Sequence, residues 1–245
     1  MPKKTNPVTQ KSGASINIVL TAIVLIVAVV VIGGVLLLNR GGNSQNQATP
    51  GETVPASVLQ PQNSNMISKG PEGAPTLVEF VDYQCSSCHT YYKQVTSKIE
   101  KQYEGKINFV VRNFPLEMHP LAPTAAKAVE AAAMQGKFEE MYHQVFDNYQ
   151  SWATASSGKP SDDKQRAIKQ FETYAQQIGL DRDKFRADMN SPQVEKQIQQ
   201  DKADGSEAGV QGTPTFFLDG KKINFSRGEN PLQGMRDKLD GALAK

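Results

Sequence analysis

The stretch that most constrains this chain is "TLVEFVDYQCSSCH", residues 76–89. Its first six residues run apolar with almost no alternation, which is the pattern of a short central strand buried on both faces. Cys85 and Cys88 follow at once, and they are the only two cysteines in the 245-residue sequence. The segment after them, "SSCHTYYKQVTSKIEKQYEG", places Tyr92, Val95 and Ile99 at helical spacing and ends at Gly105, a helix-stop residue. "INFVVRNF" then reads as a second strand. Strand, helix, strand in this order is a βαβ unit, and it sets the cysteine pair at its first strand-to-helix turn.

Two chemistries fit a Cys-x-x-Cys pair followed by histidine. One is covalent attachment of a c-type haem, with His89 as the axial ligand; the other is a redox dithiol. The βαβ context favours the dithiol, because a haem site has no use for a buried strand leading into the motif, and the chain offers no clear second axial ligand. A structural zinc site needs four ligands. Two cysteines cannot supply them, and none of the three histidines stands at zinc-finger spacing from the pair. A disulfide closing so short a loop stabilises little, so the pair is read as reactive.

The first cysteine at a helix N-terminus faces free backbone N–H groups and the positive end of the helix dipole. Both favour thiolate over thiol, so Cys85 is expected to be the exposed, acidic sulfur and Cys88 the shielded one. Glu79 interrupts the apolar run. It is expected as a buried acid beneath the pair, with a raised pKa, able to exchange a proton with Cys88. Asp82, at the strand end, is expected in a turn. "GVQGTPTFF" brings a Thr213-Pro214 bond into a strand after a Gly-rich turn, a place where a cis proline fits.

The rest of the chain frames this unit. Ile18 to Leu38 is uncharged and mostly apolar over roughly 20 residues, long enough to span a bilayer. Lys3, Lys4 and Lys11 precede it, so residues 1–17 are expected in the cytoplasm and everything after residue 38 outside. A cleaved signal peptide is the alternative; length and flanks favour an anchor. Residues 39–70, rich in Gly, Asn, Ser, Gln and Pro, are expected to form a flexible linker. Residues 71–245 are expected to form one α/β domain. Within it a helical block runs over about 118–208, followed by a hairpin turning at Asp219-Gly220 and a closing helix. The hairpin must complete the sheet begun by the βαβ unit, since neither half buries a sheet alone. Formal net charge is +2, and no basic stretch is interleaved with aromatics, so nucleic acid is not an expected partner.

"GPEGAPTLVEFVDYQCSSCH", "VVRNFPLEMHPLA" and "GVQGTPTFFLDGKKI" together resemble three signature blocks of the DsbA-like thioredoxin-fold oxidoreductases, most closely the membrane-anchored ones. The resemblance runs from about Gly70 to the C-terminus. It implies a thioredoxin fold (βαβ…ββα) with a helical domain inserted. It further implies Cys85 as nucleophile, Cys88 as resolving cysteine, Glu79 as buried acid, Pro214 as a cis-proline facing the disulfide, and Thr213 as a backbone partner for substrate. The implied activity is protein disulfide formation outside the cytoplasm, on secreted or surface proteins. The implied reoxidant is a quinone-linked membrane protein of DsbB or VKOR type, with no bound cofactor or metal and a monomeric enzyme. Ser86-Ser87 departs from the usual dipeptide between the cysteines, which leaves a reductase or isomerase using the same residues as the alternative.

Overall fold

A computed structural model describes residues 53–245. Five strands form one mixed sheet: β1 (Asn65–Ser68), β2 (Thr76–Val81), β3 (Asn108–Asn113), β4 (Thr215–Leu218) and β5 (Lys221–Lys222), in spatial order β1-β3-β2-β4-β5. β2 and β3 are parallel with Val81 opposite Asn113, and every other pairing is antiparallel. The hairpin therefore does complete the sheet of the βαβ unit. Its turn is made by Asp219 and Gly220, both at positive φ (48° and 82°), as a two-residue hairpin on a right-twisted ladder requires.

The unbroken apolar character of β2 has its cause in two separate cores. Leu77 and Val81 join Phe109 and Val111 of β3 on one face. Val78 and Phe80 join Val110 and Phe217 on the other. Helix α2 covers the first face. It runs Ser86–Tyr91, passes through a π-helical turn at Tyr92–Thr96, and continues over Ser97–Tyr103. The spacing expected for one helix face holds through that turn, since Tyr92, Val95 and Ile99 are all buried. The helical block occupies the chain between β3 and β4: α3 (Ala122–Ala133), α4 (Phe138–Asp147), α5 (Tyr149–Trp152), α6 (Lys164–Gln177), α7 (Arg182–Met189) and α8 (Pro192–Glu207). A last helix, α9 (Pro231–Leu243), closes the domain. Trp152 is fully buried in α5 and donates its indole N–H to Val145 O at 2.9 Å.

The linker expected over 39–70 is corrected in its second half. From Val54 the chain packs onto the second sheet face. Val54 N–H donates to Gly220 O at 2.8 Å, and a one-turn helix α1 (Ala56–Leu59) buries Val58 and Leu59. β1 then adds an antiparallel edge to β3 through a bulge between Met66 and Ser68. The folded domain therefore begins well before residue 71. A four-residue bulged strand and a one-turn helix carry too few periodic positions to register in sequence. The span expected at 18–38 lies outside the described residues; among those described, no helix is long and apolar enough to cross a membrane.

The second face also buries a charge network. Arg112 on β3 is wholly buried. It donates to Asp201 at 2.8 Å and Asp204 at 2.5 Å, both on α8, and to the carbonyls of Val58 and Leu59 on α1. Close approach of α8 to the sheet depends on Gly205, where a Cβ would stand 2.7 Å from the Phe114 ring and 2.9 Å from that of Phe80. Arg112 thus joins the N-terminal segment and the last helix of the block to a central strand. Removing one member of a buried ion network leaves the others charged and unpaired. Arg112→Met is accordingly expected to lower the unfolding free energy by about 3–5 kcal/mol in denaturant titration.

Candidate active site

Cys85 is the N-cap residue of α2, with extended φ and ψ (−70°, 122°). It sits just past the C-terminal end of β2, and its backbone N–H donates to Asp82 O at 3.1 Å. Both cysteines are free thiols. Cys88, one turn into the helix, is fully buried. Cys85 is more covered than expected, at 7% exposed, but it remains the outer sulfur of the pair. Opposite it, the Thr213–Pro214 peptide bond is cis, and Cys85 Sγ lies 3.5 Å from Thr213 O. The Thr213 hydroxyl is buried with no partner outside the dithiol and is placed to stabilise negative charge on either sulfur.

These surroundings separate the two thiols electrostatically. The Cys88 thiol hydrogen-bonds to Cys85, the backbone at Ser87 and Cys88 adds donors, and the Cys85 pKa is lowered to about 5 against the opposing effect of burial. Burial, and then the adjacent Cys85 sulfur, drive Cys88 far in the other direction. Cys85 carries the thiolate at neutral pH while Cys88 keeps its proton, which is the order expected from position alone.

Glu79 is where the sequence placed it. It is 1% exposed on β2, facing the helical block. Desolvation raises its pKa to about 8 in spite of the hydrogen bond from Tyr142, whose hydroxyl lies 3.4 Å from Oε2. It is therefore a neutral acid in the folded protein at pH 7. Asp82 is more than a turn residue. Its buried carboxylate accepts from Gln84 N at 2.8 Å, Leu116 N at 2.9 Å and His119 Nδ1 at 2.6 Å. It ties the redox turn to the loop after β3 through Leu116 and His119. No spacing linked Asp82 to His119, 37 residues away.

Two further aromatic groups went unnoticed in sequence. Tyr149 stacks on His89, with ring centroids 4.4 Å apart and 7° between planes, and burial, followed by the charge on Cys85, raises its phenol pKa to about 12. Tyr83 has a buried hydroxyl without a partner, within electrostatic reach of both Glu79 and Cys88. The haem alternative loses its geometry here. Thioether attachment needs both sulfurs accessible, whereas Cys88 has no exposed surface and His89 lies flat against Tyr149.

A thioredoxin family model matches residues 62–238. Among curated proteins, the Na(+)/H(+) antiporter NhaA of Herminiimonas arsenicoxydans is 34% identical over 174 residues, 69% of this chain and 25% of that protein. Na(+)/H(+) antiporter NhaA 1 of Mycolicibacterium gilvum is 31% identical over 182 residues, 71% of this chain and 27% of that protein. The chain thus spans about a quarter of the length of the curated relatives it matches. A continuous stretch covering 69% of 245 residues cannot avoid Cys85 and Cys88. Among solved structures, BdbD from Bacillus subtilis (oxidised) superposes with TM-score 0.62 at 17% identity, over 80% of this chain and 98% of that one. A thioredoxin-like oxidoreductase from Silicibacter pomeroyi gives 0.59 at 24%, over 78% and 98%. The thiol-disulfide exchange protein alpha-DsbA2 from Wolbachia pipientis gives 0.59 at 20%, over 76% and 90%. These likenesses establish the fold.

Two titrations follow from the geometry. In the reduced protein, alkylation of Cys85 by iodoacetamide should be half-maximal near pH 5 and level by pH 7, whereas an ordinary thiol would still be rising at pH 8. Glu79 acts on stability in the opposite sense. Unfolded, it ionises near 4.5; folded, near 8. Between those values unfolding releases a proton, so stability falls as pH rises through the window. Glu79→Gln should abolish that slope and raise stability at pH 8 by a few kcal/mol over wild type, from about 1.4 kcal/mol per pK unit, with little change at pH 4. Parallel unfolding curves at the two pH values test this.

Proposed function

Because this chain belongs to the thioredoxin family over residues 62–238 and is a thiol:disulfide oxidoreductase, we propose that it works outside the cytoplasm as an oxidase, introducing disulfides into secreted or surface proteins. The observation that carries the direction is the stabilised thiolate of Cys85. A sulfur with a pKa lowered to about 5 is a good leaving group, and its stabilisation favours the reduced enzyme, which makes the oxidised enzyme a disulfide donor.

In this reading the resting enzyme holds a Cys85–Cys88 disulfide. A substrate thiolate attacks Cys85 Sγ, the Cys85–Cys88 bond breaks, and a mixed disulfide forms between Cys85 and substrate. Cys88 leaves as a thiolate and takes up a proton, because burial makes its charged form costly. Glu79, a neutral acid at pH 7, is the proton source in this reading, and solvent reprotonates it. A second substrate thiolate then attacks the substrate sulfur of the mixed disulfide. The substrate leaves with its disulfide, and Cys85 returns as thiolate. Two electrons now reside in the dithiol, and a quinone-linked membrane partner of DsbB or VKOR type removes them. Thr213 and Pro214 face the dithiol, where the Thr213 backbone is proposed to hold the substrate strand.

Residues 18–38 are proposed to anchor the chain, N-terminus inside, with a monomeric catalytic domain on the outer side. Antiport is no part of the proposal. The shared segment makes up about a quarter of the NhaA-named proteins, and in this chain that segment is the dithiol domain.

Equilibrating the 245-residue chain with glutathione buffers tests the direction. A potential toward −120 mV is expected of an oxidase. A value near −270 mV would instead assign the same residues to a reductase. Cys88→Ala, whose Cys85 thiolate can attack a model peptide disulfide but which lacks the thiol that resolves the product, should accumulate the mixed disulfide, and Cys85→Ala should form none.

A further inference from the structure

The residue before Cys85 binds the redox turn to the helical block. Gln84 is 1% exposed, and every polar group it has is bonded. Its Nε2 donates to Ala153 O at 3.1 Å and to Ser161 O at 2.7 Å. Its Oε1 accepts from Leu121 N at 2.6 Å, and its carbonyl accepts from the Tyr149 hydroxyl at 2.6 Å. Its own N–H donates to Asp82 Oδ1 at 2.8 Å. Ser161 N–H in turn donates to Ala153 O at 2.8 Å, so the two acceptors of the amide are held together. Four of these contacts cross from the sheet half to the block, reaching the start of α3, α5 and the loop between α5 and α6.

A buried amide is costly unless fully bonded, and an apolar side chain of the same size would fill the space without that demand. What the amide adds is orientation. Its two donors and its acceptor are coplanar, and all three engage fixed backbone groups. Cys85 follows directly, and its side chain makes no capping bond that would hold the turn from within. The position of Cys85 Sγ relative to the Cys88 thiol and the backbone donors of α2 therefore rests on how Gln84 is held.

We propose that Gln84 is a positioning residue for the dithiol: through it the helical block fixes the Cys85 backbone, and so the geometry that stabilises the Cys85 thiolate. The proposal deepens the thiol–disulfide reading and rests on it. Asp82 and Tyr149 are the titratable groups bonded to Gln84; Cys88 and Thr213 face Cys85 from α2 and from the turn before β4, and His89 stacks on Tyr149.

The test uses the 245-residue chain with Gln84→Met, which keeps the volume and loses the amide, and Tyr149→Phe, which keeps the ring and loses only the bond to the Gln84 carbonyl. Thiolate absorbance and iodoacetamide kinetics are followed against pH, beside circular dichroism and melting. In Gln84→Met the Cys85 titration should move upward, slowing alkylation at pH 5 about fivefold, the effect of one pK unit on a group that titrates near 5, with the fold intact. Tyr149→Phe should move it the same way by less. Folded variants that melt lower but titrate like wild type would show Gln84 to be packing alone and overturn the proposal. Should Gln84→Met fail to fold, Tyr149→Phe decides, and an unmoved titration there overturns it as well. A wild-type potential near −270 mV would overturn the oxidase direction while leaving the Gln84 effect on titration to be read separately.

Discussion

Everything in this domain depends on burying β2 on both faces. A six-residue strand with Leu77, Val78, Phe80 and Val81 pointing alternately to two cores cannot be satisfied by one layer of helices. One face takes α2 and the helical block apart from α8. The other takes α1, α8 and the N-terminal segment, locked by Arg112. The C-terminal end of that strand is then held rigidly from both sides, and it is there that the chain turns into α2 and presents Cys85.

The same burial produces the chemistry. A dithiol in water would have two similar thiols. Here Cys85 sits at the helix start with donors around it, and Cys88 one turn deeper is buried beyond what its donors offset, so one sulfur is held as thiolate and the other as thiol. Glu79 lies on the same strand, far enough inside that desolvation outweighs its hydrogen bonds. The difference between the two sulfurs and the availability of a neutral acid both trace to depth along β2 and α2. The cis Thr213–Pro214 segment leads into β4, which pairs with β2 through Phe80 and Thr215, and this pairing brings residues 128 positions apart in sequence against each other.

Much of this was legible in the sequence. The uninterrupted apolar run marked β2, the change of period after Cys85 marked α2, and the Asp219-Gly220 turn marked the final hairpin. Glu79 stood out because a charge inside such a run must be either misplaced or buried. The N-terminal addition did not show, because β1 and α1 are short and their polar neighbours read as linker. The tie from Asp82 to His119 and the bonds of Gln84 to the helical block did not show either. Each joins residues at least 37 positions apart in sequence with no shared period, and a single glutamine or histidine carries no local signal of its partner.

By itself the sequence determined the reactive pair, its place at a strand-to-helix turn, and the halves of the sheet that had to meet, because periodicity and turn chemistry are local properties. Tertiary structure alone decided which acid is protonated, how deeply each sulfur lies, and which side chains brace the turn. Those depend on desolvation and on hydrogen bonds between distant segments, and neither quantity exists until the chain has folded around them.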